Sequence, residues 1–343
     1  MYQALRPYLF KYDAERMHEL TILLMRLVGR IPLLSTTLQK RHSAHSRLSC
    51  ELFGLNFNNP VGLAAGYDKD GVAWRGLACL GFGHIEIGTV TLNPQVGNPR
   101  PRIFRLPGNH GIINRMGFPG KGAEFVADQL RGKRLSGVVL GVNIGKNQTT
   151  PLESAAEDYS SLLKIFAPLA DYLVVNVSSP NTVGLRRLQA RDLLETLLNG
   201  LNQDRKQQFN RIGRNLPLLV KLSPDLTDQA LDDALDVILS TGMDGVIVSN
   251  TTVARNCLHG PHSHEQGGLS GDPLRESSTR MIRKVYSRTS GSLPIIGVGG
   301  IMKPSDALDK FDAGAKLVQL YTGLIYAGPS LVKDILESLQ AEI

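Results

Sequence analysis

Residues 295–300 read Ile-Ile-Gly-Val-Gly-Gly, a short apolar run that leads directly into a glycine pair. Such a run is typical of a buried parallel strand, and such glycines are typical of a turn whose backbone N–H groups approach a phosphate. In an open doubly wound sheet the glycine-rich turn is expected after the first strand. Here it follows the seventh apolar run of the chain, so its position favours a closed barrel.

Seven other short apolar runs flank this segment, six before it and one after it. They alternate with longer stretches of helical periodicity, such as Ala155–Phe166, Ala190–Leu201, Thr227–Leu239 and Pro304–Phe311. Eight strands that each lead to a helix predict an α/β fold, the (β/α)8 or TIM barrel. The predicted strands are Val61–Ala65, Ile85–Thr89, Val138–Ile144, Tyr172–Val177, Leu218–Leu222, Gly245–Ser249, Ile295–Gly299 and Leu317–Tyr321.

Two intervals between these strands, residues 89–138 and 249–295, are too long for a plain strand-to-helix connection. We expect inserted loops there, beside the active site. The barrel is predicted to span residues 47–343, and residues 1–46 are predicted to form a small N-terminal helical extension.

The composition of the 343 residues is that of a well-packed globular protein, with 42% hydrophobic and 20% charged residues. This composition excludes disordered and collagen-like chains. Three widely spaced cysteines without a C-x-x-C pair argue against a disulfide framework and predict a reducing, intracellular compartment. No run of 18 apolar residues is present, so no membrane-spanning helix is predicted.

The first 47 residues carry eight basic and three acidic side chains, which gives this segment +5 of the net charge of +7. Asp13 is a predicted helix N-cap, and the apolar residues after it cover more than one face of the helix. The segment either packs on the barrel as a helical hairpin or lies in a bilayer interface against anionic lipid. Its bases are spread through an apolar helix, which favours a membrane surface over nucleic acid. A polar linker is predicted at His42–Ser46.

Polar and glycine residues follow almost every predicted strand, where the active sites of this fold lie. Lys221 ends an apolar strand and is expected in the barrel mouth, either as a Schiff base or as a cation beside reduced flavin. The glycine turns after the seventh and eighth strands predict a bound phosphate. Ser179, in a Ser-Ser-Pro-Asn turn, is by itself more typical of a turn hydroxyl than of a catalytic group. A flavin enzyme, a Schiff-base lyase and a non-catalytic flavin- or lipid-binding sensor all remain open.

Seven segments match one known family in chain order. They are Gly62–Gly71, Ile85–Thr91, Ile113–Phe118, Asn143–Asn147, Asn176–Thr182, Gly267–Gly271 and Ile295–Gly300. In these segments the chain resembles the class 2 dihydroorotate dehydrogenases. The resemblance implies an FMN-dependent oxidoreductase that oxidises (S)-dihydroorotate to orotate in pyrimidine (UMP) biosynthesis and passes the electrons to a membrane quinone. Because no mitochondrial presequence is recognised, we expect a peripheral protein on the cytoplasmic face of an inner membrane.

The resemblance also implies roles for individual residues. Ser179 is the expected base that takes a proton from C5 of the substrate, where class 1 relatives carry a cysteine. The expected FMN contacts are Ala65, Gly66, Tyr67, Asp68, Lys69, Thr89, Asn143, Asn176, Lys221, Ser249, Gly271, Gly300, Tyr321 and Thr322. The expected substrate contacts are Lys69, Asn114, Arg115, Met116, Gly117, Phe118, Asn176, Asn181, Asn250 and Thr251. The quinone is expected at His18, Arg105 and Tyr321.

Three positions depart from the pattern of this family. Tyr67 stands where relatives often carry leucine, Val183 where proline is usual, and Ser249 where threonine is common. Val183 removes the stiffness that a proline would lend to the loop carrying Ser179. No metal is expected, because the histidine-rich loop His259–His264 lacks a cysteine or carboxylate arranged with it.

Overall fold

Eight parallel strands close into a barrel in this computed structural model, which describes residues 2–31, 46–132, 134–256 and 258–342. The barrel order is β3-β4-β7-β8-β9-β10-β12-β13, and β13 pairs back onto β3. The predicted TIM barrel is therefore confirmed, and each predicted strand matches a barrel strand to within two residues. In chain order the strands are β1 (Cys50–Leu52), β2 (Leu55–Phe57), β3 (Val61–Leu63), β4 (His84–Val90), β5 (Ile103–Leu106), β6 (Gly111–Asn114), β7 (Val139–Ile144), β8 (Tyr172–Asn176), β9 (Leu218–Leu222), β10 (Gly245–Val248), β11 (Gly268–Gly271), β12 (Ile295–Val298) and β13 (Leu317–Leu320).

Helices surround the barrel and also form the N-terminal extension. They are α1 (Tyr2–Leu9), α2 (Ala14–Arg30), α3 (Trp74–Ala78), α4 (Gly122–Leu130), α5 (Ala155–Phe166), α6 (Arg191–Ile212), α7 (Asp228–Ser240), α8 (Arg275–Arg288), α9 (Pro304–Asp312), α10 (Thr322–Ala327) and α11 (Ser330–Ala341). The helix predicted to end at Leu201 was predicted too short, because α6 continues to Ile212. Its last turns are almost entirely polar, so they carry no apolar periodicity, and Gly213 ends the helix in the left-handed conformation.

The barrel interior is filled by side chains from strands that are buried on both faces, which explains their continuous apolar sequence. All seven residues of β4 are buried. Large inward-facing groups need small neighbours, since a Cβ on Gly141 would lie 2.2 Å from Cζ of Tyr172. The β1–β2 hairpin covers one end of the barrel, where Phe57 packs edge-on against His84.

The two long intervals between barrel strands contain an added antiparallel sheet. Strands β5 and β6 come from the first interval and β11 from the second, and they pair in the order β11-β6-β5. Residues Asn114 and Gly271 at the ends of this sheet therefore come to the barrel mouth from segments that are distant in sequence.

The N-terminal extension is joined to the barrel by a buried ion pair. Arg102 donates from Nε and Nη2 to the Glu15 carboxylate at 2.8–3.2 Å, and both residues are buried. Helix α2 begins as predicted at Asp13, whose side chain accepts a hydrogen bond from the Arg16 N–H. The predicted linker His42–Ser46 lies outside the described residues except for Ser46. The N-terminal extension therefore packs against the rest of the chain through α2.

Packing inside the barrel leads to a stability prediction for Gly141→Ala. The added methyl group would overlap Tyr172, so we expect a loss of about 1–3 kcal/mol in the free energy of unfolding. Gly200→Ala in the exposed part of α6 is the control: its methyl group meets no atom within 4 Å, and alanine favours the helix by about 1 kcal/mol. Urea unfolding should therefore shift in opposite directions for the two variants. Equal midpoints would contradict the packing argument.

Candidate active site

A cavity opens at the C-terminal ends of the barrel strands and is called the mouth cavity below. It is bounded by the ends of the barrel strands and by the added sheet, so residues from most of the chain meet there. The predicted residues that line it are Ala65, Gly66, Lys69, Thr89, Asn114, Met116, Gly117, Phe118, Asn176, Ser179, Asn181, Lys221, Ser249, Asn250, Thr251, Gly271, Gly300, Tyr321 and Thr322.

Four of the residues predicted to contact FMN or the substrate lie outside the lining of the mouth cavity. Asp68 is buried and accepts hydrogen bonds from two backbone N–H groups four and five residues ahead, so it shapes a turn. Arg115 pairs with Glu265 at 2.6 Å. Tyr67 lines a second cavity, described below. Asn143 lies in a buried network behind the lining, where a direct ligand contact was expected.

That network begins with Thr89, Asn143 and Asn176. The Thr89 hydroxyl donates to Oδ1 of Asn143 at 2.5 Å, and Nδ2 of Asn176 donates to both Thr89 Oγ1 and Asn143 Oδ1 at 2.9 and 3.1 Å. Nδ2 of Asn143 donates to Oε1 of Glu86 at 2.8 Å. Asn143 therefore orients Thr89 and Asn176, which themselves line the cavity.

Glu86 is the buried partner of Lys221, with Oε1 3.4 Å from the ammonium nitrogen. Its Oε2 accepts a hydrogen bond of 2.7 Å from Nε2 of Gln319. The sequence pattern predicts Lys221 in the barrel mouth but does not identify this partner. Two signals in the sequence could have identified this buried network, since buried strand positions are rarely polar. They are the glutamate in Ile-Glu-Ile at 85–87 and the glutamine in β13.

Asparagine amides and Ser179 line the side of the mouth cavity near β8 and β10, with Ser178 buried behind them. Nδ2 of Asn181 donates to Oδ1 of Asn114 at 3.2 Å, and Nδ2 of Asn250 donates to Oγ of Ser178 at 2.9 Å. Ser179 is 5% exposed, and its Oγ accepts a hydrogen bond of 3.3 Å from the backbone N–H of Asn181. This side of the cavity therefore presents paired amide donors and acceptors around one hydroxyl.

Lys69 is the second ammonium in the mouth cavity. Its Nζ donates to the Gly66 carbonyl at 2.8 Å. Burial lowers the pKa of Lys69 to about 8, and the nearby Glu15 carboxylate opposes that shift. Lys69 is therefore mostly charged at neutral pH and suited to pair with an anionic group.

A second cavity, called the helical cavity, lies between helices α1 and α2 and the barrel. Its walls are mainly apolar, but the predicted residues His18, Arg105 and Tyr321 all line it. Burial and the neighbouring Lys69 lower the pKa of His18 to about 3, so its imidazole is neutral at physiological pH. Tyr67, at a position that departs from the family pattern, also lines this cavity.

The two cavities share a wall. Asn114, Met116, Ser270 and Tyr321 line both of them. On the helical side the ring centroids of Tyr321 and Tyr67 are 5.6 Å apart, and those of Tyr67 and His18 are 5.1 Å apart. The more polar mouth cavity and the more apolar helical cavity are therefore separated by the thickness of single side chains.

The comparison with known protein families identifies this combination of barrel and cavities. A family model described as dihydroorotate dehydrogenase matches residues 47–343. The chain belongs to this family. This membership confirms the prediction of an oxidoreductase. It excludes the alternative that the chain is a Schiff-base lyase.

Full-length relatives narrow the family to its quinone-dependent branch. Proteins named dihydroorotate dehydrogenase (quinone) from Roseiflexus sp. strain RS-1 and Chromobacterium violaceum are 47% and 49% identical to this chain. The alignments cover 99% and 97% of this chain, and 93% and 96% of the relatives. A crystal structure of the Eimeria tenella enzyme in complex with ferulenol superposes with a TM-score of 0.89 at 39% identity, over 96% of this chain and 91% of that one. The prediction of a quinone-dependent dihydroorotate dehydrogenase is confirmed by these relatives.

Arg186 is a site residue that the sequence analysis did not single out. Its guanidinium donates to the Ser178 carbonyl at 3.1 Å, to Oδ2 of Asp225 at 2.8 Å and to the Thr251 carbonyl at 3.1 Å. It therefore joins the loops after β8, β9 and β10. Val183 in the first of these loops is exposed and does not hold the loop by packing. The hydrogen bonds of Arg186 restrain this loop, where a proline at 183 would have stiffened it.

Loss of this three-way contact should slow substrate oxidation. We expect Arg186→Gln to lower kcat for dihydroorotate oxidation by about 10- to 100-fold, because small displacements of reacting groups are costly. Arg187→Gln, at the exposed neighbouring arginine, is the matched control and should retain the wild-type rate. Steady-state kinetics and hydrogen exchange of residues 178–185 measure the effect. Equal behaviour of the two variants would rule out the positioning role.

Proposed function

We propose that this chain oxidises (S)-dihydroorotate to orotate in the mouth cavity, with FMN bound there, and delivers the electrons to a membrane quinone in the helical cavity. The family is known to use FMN, and the relatives are named for their quinone acceptor. The observation that carries the proposal is the shared wall. A cavity with two ammonium groups and several amides, suited to an anionic substrate, and a more apolar cavity suited to a quinone meet at Tyr321.

The residues of the mouth cavity fit FMN by their donor chemistry. Among the described residues, the only acceptor within hydrogen-bond distance of the Lys221 ammonium is Glu86, so protons remain for a ligand. Gly299 and Gly300 follow β12 with φ angles of +116° and +74°, a backbone path that favours glycine and that can present N–H groups to a phosphate. When bound, FMN supplies the hydride acceptor, and Lys221 stabilises negative charge beside its ring.

Dihydroorotate is an anion with amide edges, and the substrate side of the mouth cavity matches both features. Lys69 pairs with the carboxylate, and the side chains of Asn114, Asn176, Asn181 and Asn250 exchange hydrogen bonds with the amide groups. Ser179 takes the proton that leaves C5 and releases its own hydroxyl proton to solvent, so that the hydroxyl is neutral after the step. A site whose buried amides hydrogen-bond to the substrate discriminates strongly against ligands that lack the matching donors and acceptors.

The quinone head would be held at the polar end of the helical cavity. The neutral His18 can donate or accept a hydrogen bond, and the Arg105 guanidinium can donate to a quinone carbonyl. Arg105 is itself held by its contact with the Phe10 ring, 4.7 Å from the ring centroid. Tyr321 forms the wall towards the mouth cavity.

The outer face of α1 and α2 would rest on an anionic membrane surface. Its exposed large apolar side chains that do not line the helical cavity are Leu5, Tyr8, Leu23 and Leu27. Basic residues lie on the same two helices, which suits anionic headgroups. Within the described ranges, no helix is long and apolar enough to cross a bilayer. We propose peripheral attachment, on the cytoplasmic face of an inner membrane.

The role of Ser179 is tested by Ser179→Ala. The variant should retain FMN and bind orotate, while flavin bleaching by dihydroorotate slows by about 10²–10⁴-fold, the usual effect of losing a general base. Anaerobic stopped-flow absorbance measures this half-reaction. Reoxidation by quinone is the internal control and should keep its rate. Wild-type bleaching would require another base.

Membrane attachment is tested by the double variant Leu23→Ser, Leu27→Ser. Both leucines are about half exposed on α2, so their replacement should weaken binding to phosphatidylglycerol vesicles by about tenfold. Leu239→Ser, an exposed leucine on α7, is the control and should bind normally. Vesicle co-sedimentation at rising salt measures both the apolar and the electrostatic contribution. Unchanged binding by the double variant would place the membrane contact elsewhere.

A further inference from the structure

Glu86 and Lys221 form an isolated pair of opposite charges in the centre of the barrel. Among the eight barrel strands, Glu86 is the only acidic residue and Lys221 the only lysine or arginine. Glu86 is completely buried, and Lys221 is 5% exposed. Removing such charges from water is costly, and a pair of apolar side chains would pack at this position with less penalty.

Three donors converge on the Glu86 carboxylate. They are the Lys221 ammonium, Nδ2 of Asn143 and Nε2 of Gln319, at 3.4, 2.8 and 2.7 Å. Each contact places a proton towards an oxygen, which suits an ionised carboxylate. The ammonium lines the mouth cavity, whereas the carboxylate lies outside the cavity lining. A ligand in the mouth cavity therefore meets the positive charge with a negative charge behind it.

We infer that Glu86 is a positioning residue whose negative charge offsets part of the positive charge of Lys221 and so weakens the stabilisation of reduced FMN. The inference rests on the proposed function, because it requires FMN in the mouth cavity. The reaction consists of two half-reactions with opposite needs. An uncompensated Lys221 would favour flavin reduction by dihydroorotate and would oppose the release of those electrons to the quinone.

A purely structural role for Glu86 would have the opposite signature. If the carboxylate only holds Lys221 in place, its removal lets the ammonium move away from the ring, and the flavin midpoint potential becomes more negative. If its charge is what matters, removal exposes the full charge of Lys221, and the potential becomes more positive. The sign of the shift therefore distinguishes the two roles.

The test is Glu86→Gln in the full-length, FMN-loaded protein. The substitution is nearly isosteric, and the new amide can still accept from Lys221 and Asn143. Because Nε2 of Gln319 faces the other carboxylate oxygen, the Gln319 side-chain amide must flip for its Oε1 to accept from the new amide; this Oε1 has no hydrogen-bond partner among the described residues. We expect reduced FMN to gain at least tenfold in affinity relative to oxidised FMN, a positive shift of about 30 mV for a two-electron couple. Equilibration with a reference dye measures this potential without turnover.

Three companion measurements make the result specific. Glu86→Asp keeps the charge and should leave the potential close to that of the wild type. Asp158→Asn removes a buried carboxylate that binds the Asn147 N–H and the Thr150 hydroxyl, and it should not shift the potential. In Glu86→Gln, bleaching by dihydroorotate should keep or exceed its wild-type rate, while reoxidation by quinone should slow.

An unchanged or more negative potential in Glu86→Gln would overturn the inference while leaving the proposed function intact. A wild-type protein that binds no FMN would instead contradict the proposed function. If Glu86→Gln does not fold, Glu86→Met makes the same test, because it also removes the negative charge. The potential should then become more positive, and an unchanged or more negative value would overturn the inference.

Discussion

Closure of eight parallel strands is the constraint on which the rest of this protein depends. A closed barrel has no free sheet edge, and it brings the C-terminal ends of all its strands to one opening. Glu86 on β4 and Lys221 on β9 are 135 residues apart in sequence, yet they approach to 3.4 Å because both strands face the same interior. The charge pattern of the active site is therefore a consequence of barrel geometry.

Two buried ion pairs, Glu15–Arg102 and Glu86–Lys221, lie where parts of the chain must be held together. Glu15 and Arg102 join α2 to the barrel, and breaking one partner of such a pair typically costs about 3–5 kcal/mol. The helical cavity exists only while α2 stays in this position, since α1 and α2 supply one of its walls. The same Glu15 carboxylate opposes the lowering of the Lys69 pKa by burial, so the pair that holds α2 also acts on the mouth cavity.

Under the proposed function, the two half-reactions take place in different surroundings. Amides and ammonium groups would replace water around a charged substrate in the mouth cavity, whereas the helical cavity is mainly apolar and adjoins exposed leucines on α2. Tyr321 belongs to both and donates to the Gly66 carbonyl at 3.3 Å, which the Lys69 ammonium also uses. The Gly66 carbonyl is therefore a shared acceptor for Lys69, which lines the mouth cavity, and for Tyr321, which lines both cavities.

The sequence by itself determined the barrel, the family and most of the residues that line the mouth cavity. Apolar runs, glycine turns and short motifs are local signals, and they can be recognised without knowing what lies opposite. Tertiary structure alone decided the partner of Lys221, the position of Asn143 behind Thr89 and Asn176, and the joining of three loops by Arg186. It also decided that Tyr67 belongs to the helical cavity. The physical reason is that these contacts join residues up to 135 positions apart, and no periodicity or motif within one segment records which distant segment closes upon it.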